Sequence, residues 1–271
     1  MVKSLTRMVR PRAWIVAVLF TTLASSGTGV SADETRPSVE ALVGFFEQVV
    51  FESEYKGAIQ GSKVVKKWTG PIRLTVSAMT GKVMPKAGGG RELKLEKIRP
   101  KEPHVKAIRR HLTALVRLTG VKTEDSKKVG KAPNLIIRFV PRLAMAAPFL
   151  IKGVDPGVLK RLAQAGVCYF LTAAKDGEIV WGTIIVNIEM TDRQIASCLL
   201  EELTQTLGLP NDSDMVKPSV FNNRSVLQEL TRTDKILIRT LYDKRLKAGT
   251  PRAEAMARVG ALIAELDAAT P

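Results

Sequence analysis

The stretch from residue 167 to residue 210 constrains this chain more than any other. Two apolar runs, residues 167–173 and 178–189, are joined at Lys175-Asp176-Gly177. Asp-Gly between apolar runs is a strong hairpin signal, because the favoured two-residue turn needs positive φ at both central positions. Thr191 follows, with Gln194 three residues on, the spacing of a capping box. Ile195, Leu199, Leu203 and Leu207 then repeat every four residues beside Cys198, so the helix they form has a side to bury. Gly208 stops that helix and Pro210 lies beyond it. The block calls for a sheet with a helix laid upon it.

The rest of the chain supplies the remaining layers. Residues 38–53 read as a helix with Val39, Leu42, Val43, Phe46, Val49 and Val50 on one side. Residues 71–79 alternate Ile72, Leu74, Val76 and Ala78 against Arg73, Thr75 and Ser77, as a half-buried strand does. A Gly/Pro/Lys-rich loop is expected next, then a basic amphipathic helix over residues 103–118 with Ile108, Leu112, Leu115 and Val116 on its apolar side. Residues 135–140 form a short apolar strand, and a short helix is expected over residues 157–165. A helix over residues 234–246 is closed by Gly249, and a last one opens at Thr250-Pro251. The fold class is α+β, a mixed β-sheet packed with helices and a C-terminal helical part.

The first 32 residues read as a cleavable export signal. Lys3, Arg7, Arg10 and Arg12 precede an apolar run over residues 13–24, and the small residues end in Val30-Ser31-Ala32. That run is short of the roughly 20 residues a membrane span needs. No cysteine lies near the cut, which argues against a lipoprotein and for a periplasmic or secreted product. Removing the leader takes away four basic residues and no acid, so the net charge falls from +16 to +12. The expected division is a signal peptide (1–32), an N-terminal helix and linker (33–64), a main domain (65–250) and a C-terminal helix (251–271).

Positive charge gathers between Lys82 and Arg110, where Lys86, Arg91, Lys94, Lys97, Arg99, Lys101, Lys106 and Arg109 are opposed only by Glu92, Glu96 and Glu102. Such a segment is either a solvated loop and helix face or a binder of anionic envelope polymer or another anionic partner. Aromatic residues are too sparse there for a stacking platform. Cys168 and Cys198 form an even pair in an exported chain, which allows a disulfide or two buried thiols.

The densest chemistry lies on the helix that starts at Thr191 and in the loop after it. Glu201 and Gln205 are spaced i, i+4 and share a side, whereas Glu202 turns toward the apolar face, where a carboxylate needs a reason to be. This segment resembles the active-site helix of zincin metallopeptidases, His-Glu-x-x-His-x-x-Gly, with both histidines replaced. The resemblance puts Glu201 and Gln205 at the ligand positions, Glu202 at the general-base position, Gly208 at the turning glycine and Asn211 where metzincins place a third ligand. The run from Cys198 to Asp212, the segment Ser219-Val220-Phe221-Asn222-Asn223, and Leu230-Thr231-x-x-Asp234 with Leu241-Tyr242-Asp243 resemble more closely the bacterial family catalogued as domain of unknown function 2927, over roughly residues 65–250. That resemblance implies a zincin-like fold with a degenerate active-site helix and an exported compartment; it does not imply a reaction.

The chemistry departs from zinc catalysis. Catalytic zinc takes neutral imidazoles with a carboxylate, and the chain has only His104 and His111, both on the earlier helix and read as surface residues. No metal or cofactor is expected. If a metal were bound, Asp212, Asp214 and Asn222 would suit calcium or magnesium. Three readings stay open: a hydrogen-bonded polar cluster of Glu201, Glu202, Gln205, Asn211 and Asp212; an oxygen-ligated metal site; and an acid–base role for Glu202 in a hydrolase. The corresponding functions are a binding or scaffold protein at the cell envelope, a hydrolase, and a binder of anionic polymer through residues 82–110.

Overall fold

The computed structural model describes residues 36–53, 60–86, 88–222 and 224–270. The expected leader, residues 1–32, lies outside them, as does Asn223. Five strands form one mixed sheet in the order β2-β1-β3-β5-β4. The strands are β1 (Leu74–Pro85), β2 (Arg91–Ile98), β3 (Leu135–Val140), β4 (Cys168–Lys175) and β5 (Glu178–Asn187). β1, β3 and β5 run parallel, while β2 and β4 flank them antiparallel at the two edges. The β4–β5 turn has φ of 50° at Asp176 and 83° at Gly177, the two positive values its dipeptide demands.

Both faces of the sheet are covered, which is why residues 135–140 read as an apolar run interrupted only by Arg138. On one face Leu135, Ile137, Phe139, Ile184 and Val186 enter the main core with helices α1 (Val39–Phe51), α2 (Glu102–Thr119), α5 (Asp192–Gln205), α6 (Arg232–Tyr242) and α7 (Arg252–Ala269). On the other, Val140, Tyr169 and Ile185 meet Met145 and Leu150, together with Leu159 and Leu162 of α4 (Pro156–Leu162). A one-turn helix, α3 (Ser126–Val129), precedes β3. Pro37–Pro271 forms one compact unit. Within it Arg252 at the start of α7 bonds Glu47 and Glu52 near the end of α1. No helix among the described residues is long and apolar enough to cross a membrane.

Two sequence expectations are corrected. Residues 91–98, read as loop, are strand β2, and β1 continues to Pro85 to meet it in an antiparallel hairpin. Charge hid the alternation: Leu93 and Leu95 lean on the second core while their neighbours stay in water. The hairpin also disperses the basic run. Lys82 and Lys94 pair directly across the strands, with Glu96 and Glu92 at neighbouring positions on the same face.

The second correction concerns the histidines, which are buried rather than on the surface. Seven residues apart on α2, both reach α5: His104 Nε2 bonds Asp192 Oδ1 at 3.0 Å, and His111 Nε2 donates to the Ala196 carbonyl at 3.0 Å. His104 also stacks on Phe139, with ring centroids 4.8 Å apart. Their positions on α2 are apolar-face positions, where an imidazole can pack its ring and still hydrogen-bond.

Burial and the nearby Arg110 charge, partly offset by the bond to Ala196, lower the His111 pKa from 6.5 to about 4. The unfolded chain therefore binds a proton that the folded chain refuses between those values. This contribution to stability is complete above the higher value and is lost as pH falls through the window. Thermal unfolding at about pH 7 and about pH 5 should show a smaller acid-induced drop in Tm for His111→Gln than for the wild type; equal drops would remove His111 as the cause.

Candidate functional site

Helix α5 opens with the capping box read from the sequence: Thr191 accepts from the Gln194 N–H, and the Gln194 side chain accepts from the Thr191 N–H. Its apolar side, Ile195, Leu199 and Leu203, is buried. Cys198 on the same helix is joined to Cys168 at the start of β4 by a disulfide, so the helix is tied covalently to the sheet edge. The two sulfurs and a carboxylate oxygen of Glu202 all lie within 4.8 Å of one another. Glu202 is 5% exposed, so its carboxylate is sealed beside the disulfide. Glu201 is half-buried.

The rest of the cluster turns toward the loop that follows. Gln205 is 2% exposed, and its side-chain nitrogen donates to Asp212 Oδ1 at 2.6 Å. A carboxylate oxygen only accepts, so the nitrogen of Gln205, not its oxygen, faces Asp212. Asn211 does not join that pair. Its amide donates to the Gln48 carbonyl on α1 at 3.1 Å, and Ser213 donates to the Gln48 side chain at 2.6 Å. Asp214 is met by Asn222 and by Lys217, the latter at 3.3 Å. The loop is thus laced to α1 and to itself.

The exit of α5 is equally confined. Gly208 has φ +109°, and a Cβ there would lie 1.9 Å from the Lys66 carbonyl oxygen. Only glycine satisfies both the backbone angle and that approach. Trp68 Nε1 donates to the Thr206 carbonyl at 2.9 Å, and Tyr242 Oη donates to the Leu207 carbonyl at 2.8 Å while accepting from the Trp68 N–H. Asp234, fully buried at the N3 position of α6, accepts from Ser219 Oγ at 2.6 Å and from the Val220 and Thr231 N–H groups. Burial raises its pKa, and these donors act in the opposite direction. The segments 219–222, 230–234 and 241–243 therefore hold the loop and the end of α5.

Sequence reasoning missed Lys67. It is buried and donates to the carbonyls of Leu241, Asp243 and Leu246, capping the end of α6, with its charge 5.5 Å from the Tyr242 ring centroid. Desolvation, partly offset by Asp243, lowers its pKa to about 8. The only signal was a pair of lysines, Lys66 and Lys67, between apolar Val65 and Trp68.

A cavity of about 100 Å³ lies where α1, β4 and α5 meet. Its wall includes Val50, Ser62, Lys66, Phe170, Thr172 and Gln205, and neither Glu201 nor Glu202 belongs to its lining. The structure therefore brings Gln205 and Asp212 together, sets Glu202 beside the disulfide, and gives Asn211 to α1.

The disulfide spans 30 residues. A loop of that length corresponds to about 3–4 kcal/mol of chain-entropy stabilisation. Urea unfolding of Cys168→Ala/Cys198→Ala should show a loss of that order. An unchanged midpoint would mean that the bond contributes nothing to the hold on α5.

The family model described as "Protein of unknown function (DUF2927)" matches residues 39–261. No curated protein and no solved structure matches the chain.

Proposed function

The chain belongs to the DUF2927 family of proteins of unknown function, and from that premise we propose that it is an exported binding or scaffold protein of the cell envelope, built on a zincin-like frame without zinc peptidase activity. The observation that carries this reading is the bond from Gln205 to Asp212. In a zincin the second ligand position would offer a lone pair to metal. Here the group that faces the loop at that position is an N–H donor, already committed.

The other donors support the same reading. Zinc selects imidazole nitrogen, thiolate and carboxylate. The two cysteine sulfurs near Glu202 are bonded to each other, and the Nε2 atoms of both histidines are committed to α5. A harder cation would need free oxygens, yet Asp214 is held by Asn222 and Lys217. The donor set does not suit zinc. A hydrolase built on Glu202 would need a water and a substrate carbonyl at its carboxylate, and that carboxylate is sealed beside the disulfide. The leader over residues 1–32 supports a periplasmic or secreted site of action, where a disulfide persists.

Metal analysis of the purified protein, with a screen of peptide and amide substrates run beside Glu202→Gln, tests this directly. The expected result is no stoichiometric zinc and no turnover in either protein. Stoichiometric zinc, or hydrolysis present in the wild type and absent from Glu202→Gln, would overturn the reading.

A further inference from the structure

A second concave surface opens between α2 and α6, with a volume of about 400 Å³. Ala114 and Leu118 of α2, Leu200 of α5 and Leu230 from the chain entering α6 give its floor an apolar part, beside which lie His111 and Gln228. Its rim is cationic. Arg110 and Arg117 stand seven residues apart on α2, two turns along one face. Lys235 and Arg239 face them from α6 at i, i+4 spacing. Glu229 is the one carboxylate of the lining.

Several arginines of α6, α7 and the turn between them are neutralised by acids. Arg232 is paired with Asp267, Arg245 with Asp243 and Glu265, Arg252 with Glu47 and Glu52, and Arg258 with Glu254. By contrast, no ion pair among the described residues engages Arg110, Arg117 or Lys235, and Arg239 donates only to the Thr270 hydroxyl, at 3.3 Å. Like charges converging on one concavity repel one another within a Debye length, about 8 Å at physiological salt. All four side chains are exposed, and the core beneath them is built from other residues of α2 and α6. An anion in the groove would turn that repulsion into attraction.

We propose that the α2–α6 groove binds an organic phosphate, its phosphoryl group held among Arg110, Arg117, Lys235 and Arg239 and its apolar portion resting on Ala114, Leu118 and Leu200. The charge count favours phosphate over a single carboxylate. A phosphomonoester carries roughly −1.5 to −2 at neutral pH, and guanidinium forks match its oxygens in pairs. The apolar floor favours an organic ester over the inorganic ion, since small-molecule sites combine apolar walls with a few convergent polar groups. This site is separate from the polar cluster on α5 and does not depend on the non-catalytic reading of Glu202.

Calorimetric titration with phenyl phosphate tests the groove, with phenol and inorganic phosphate as comparison probes. The wild type should bind phenyl phosphate more tightly than either. Arg117→Ala/Lys235→Ala should weaken that binding by about tenfold or more. Lys106→Ala/Arg109→Ala removes two exposed charges from α2 outside the groove and should change it by less than about twofold. All four positions are exposed, so circular dichroism should show folded variants. No binding by the wild type, or equal weakening in the two double variants, would overturn the proposal; the second result would mark diffuse surface attraction.

Sedimentation with vesicles of phosphatidic acid and phosphatidylcholine then identifies the source of the phosphate. Retention lost only in Arg117→Ala/Lys235→Ala supports a lipid headgroup, and phenyl phosphate binding without retention supports a soluble ester. Hydrolysis that disappears in Glu202→Gln while phenyl phosphate binding persists would overturn the reading of α5 and leave this one standing.

Discussion

The structure depends on α5 being held from several sides at once. Covalently, Cys198 fixes its middle to the edge strand through Cys168. From the α2 side, two buried imidazoles spaced by two helical turns reach its first residue and its Ala196 carbonyl. At its far end, Trp68 and Tyr242 take the carbonyls of Thr206 and Leu207, which would otherwise be left without partners at a helix terminus. A helix restrained in this way has little freedom to reposition Glu202 or Gln205. Gln205 is spent on holding Asp212 of the loop that follows, and that bond makes the end of the helix part of a frame.

Much of this was legible in the sequence wherever a local rule decides the outcome. The Asp176-Gly177 turn, the Thr191 capping box and the stop at Gly208 each follow from backbone sterics or end-group hydrogen bonding, which act within a few residues. The burial of Glu202 followed from its angular position on the helix. The Cys168–Cys198 bond was one of two alternatives, because the sequence cannot bring β4 and α5 together.

What stayed hidden depends on partners far along the chain. Strand β2 was missed because charged neighbours hid the alternation of Leu93 and Leu95, whose apolar partners come from the second core. His104 and His111 looked like surface residues because their acceptors lie 88 and 85 residues away on α5. Lys67 offered no pattern, since its three carbonyls belong to the end of α6. The phosphate groove was split in the same way: two of its cations are in α2 and two in α6, and only packing places them around one space. The basic run between Lys82 and Arg110 drew attention to charge along the chain, whereas the groove gathers its charge across two helices.

The ties at the end of α5 also set an order on how the molecule closes. Trp68 and Lys67 find Tyr242 and the carbonyls on either side of it some 174 to 179 residues later in the chain. Val65 hydrogen-bonds the Thr250 carbonyl, and Arg232 is held by Asp267 and the Thr270 carbonyl. Until residues 232–270 have been made, none of these contacts can form. Contacts of such long sequence separation form slowly. Residues 65–68 therefore wait on partners in residues 241–250, and the end of α5 is locked only once α6 has closed on it.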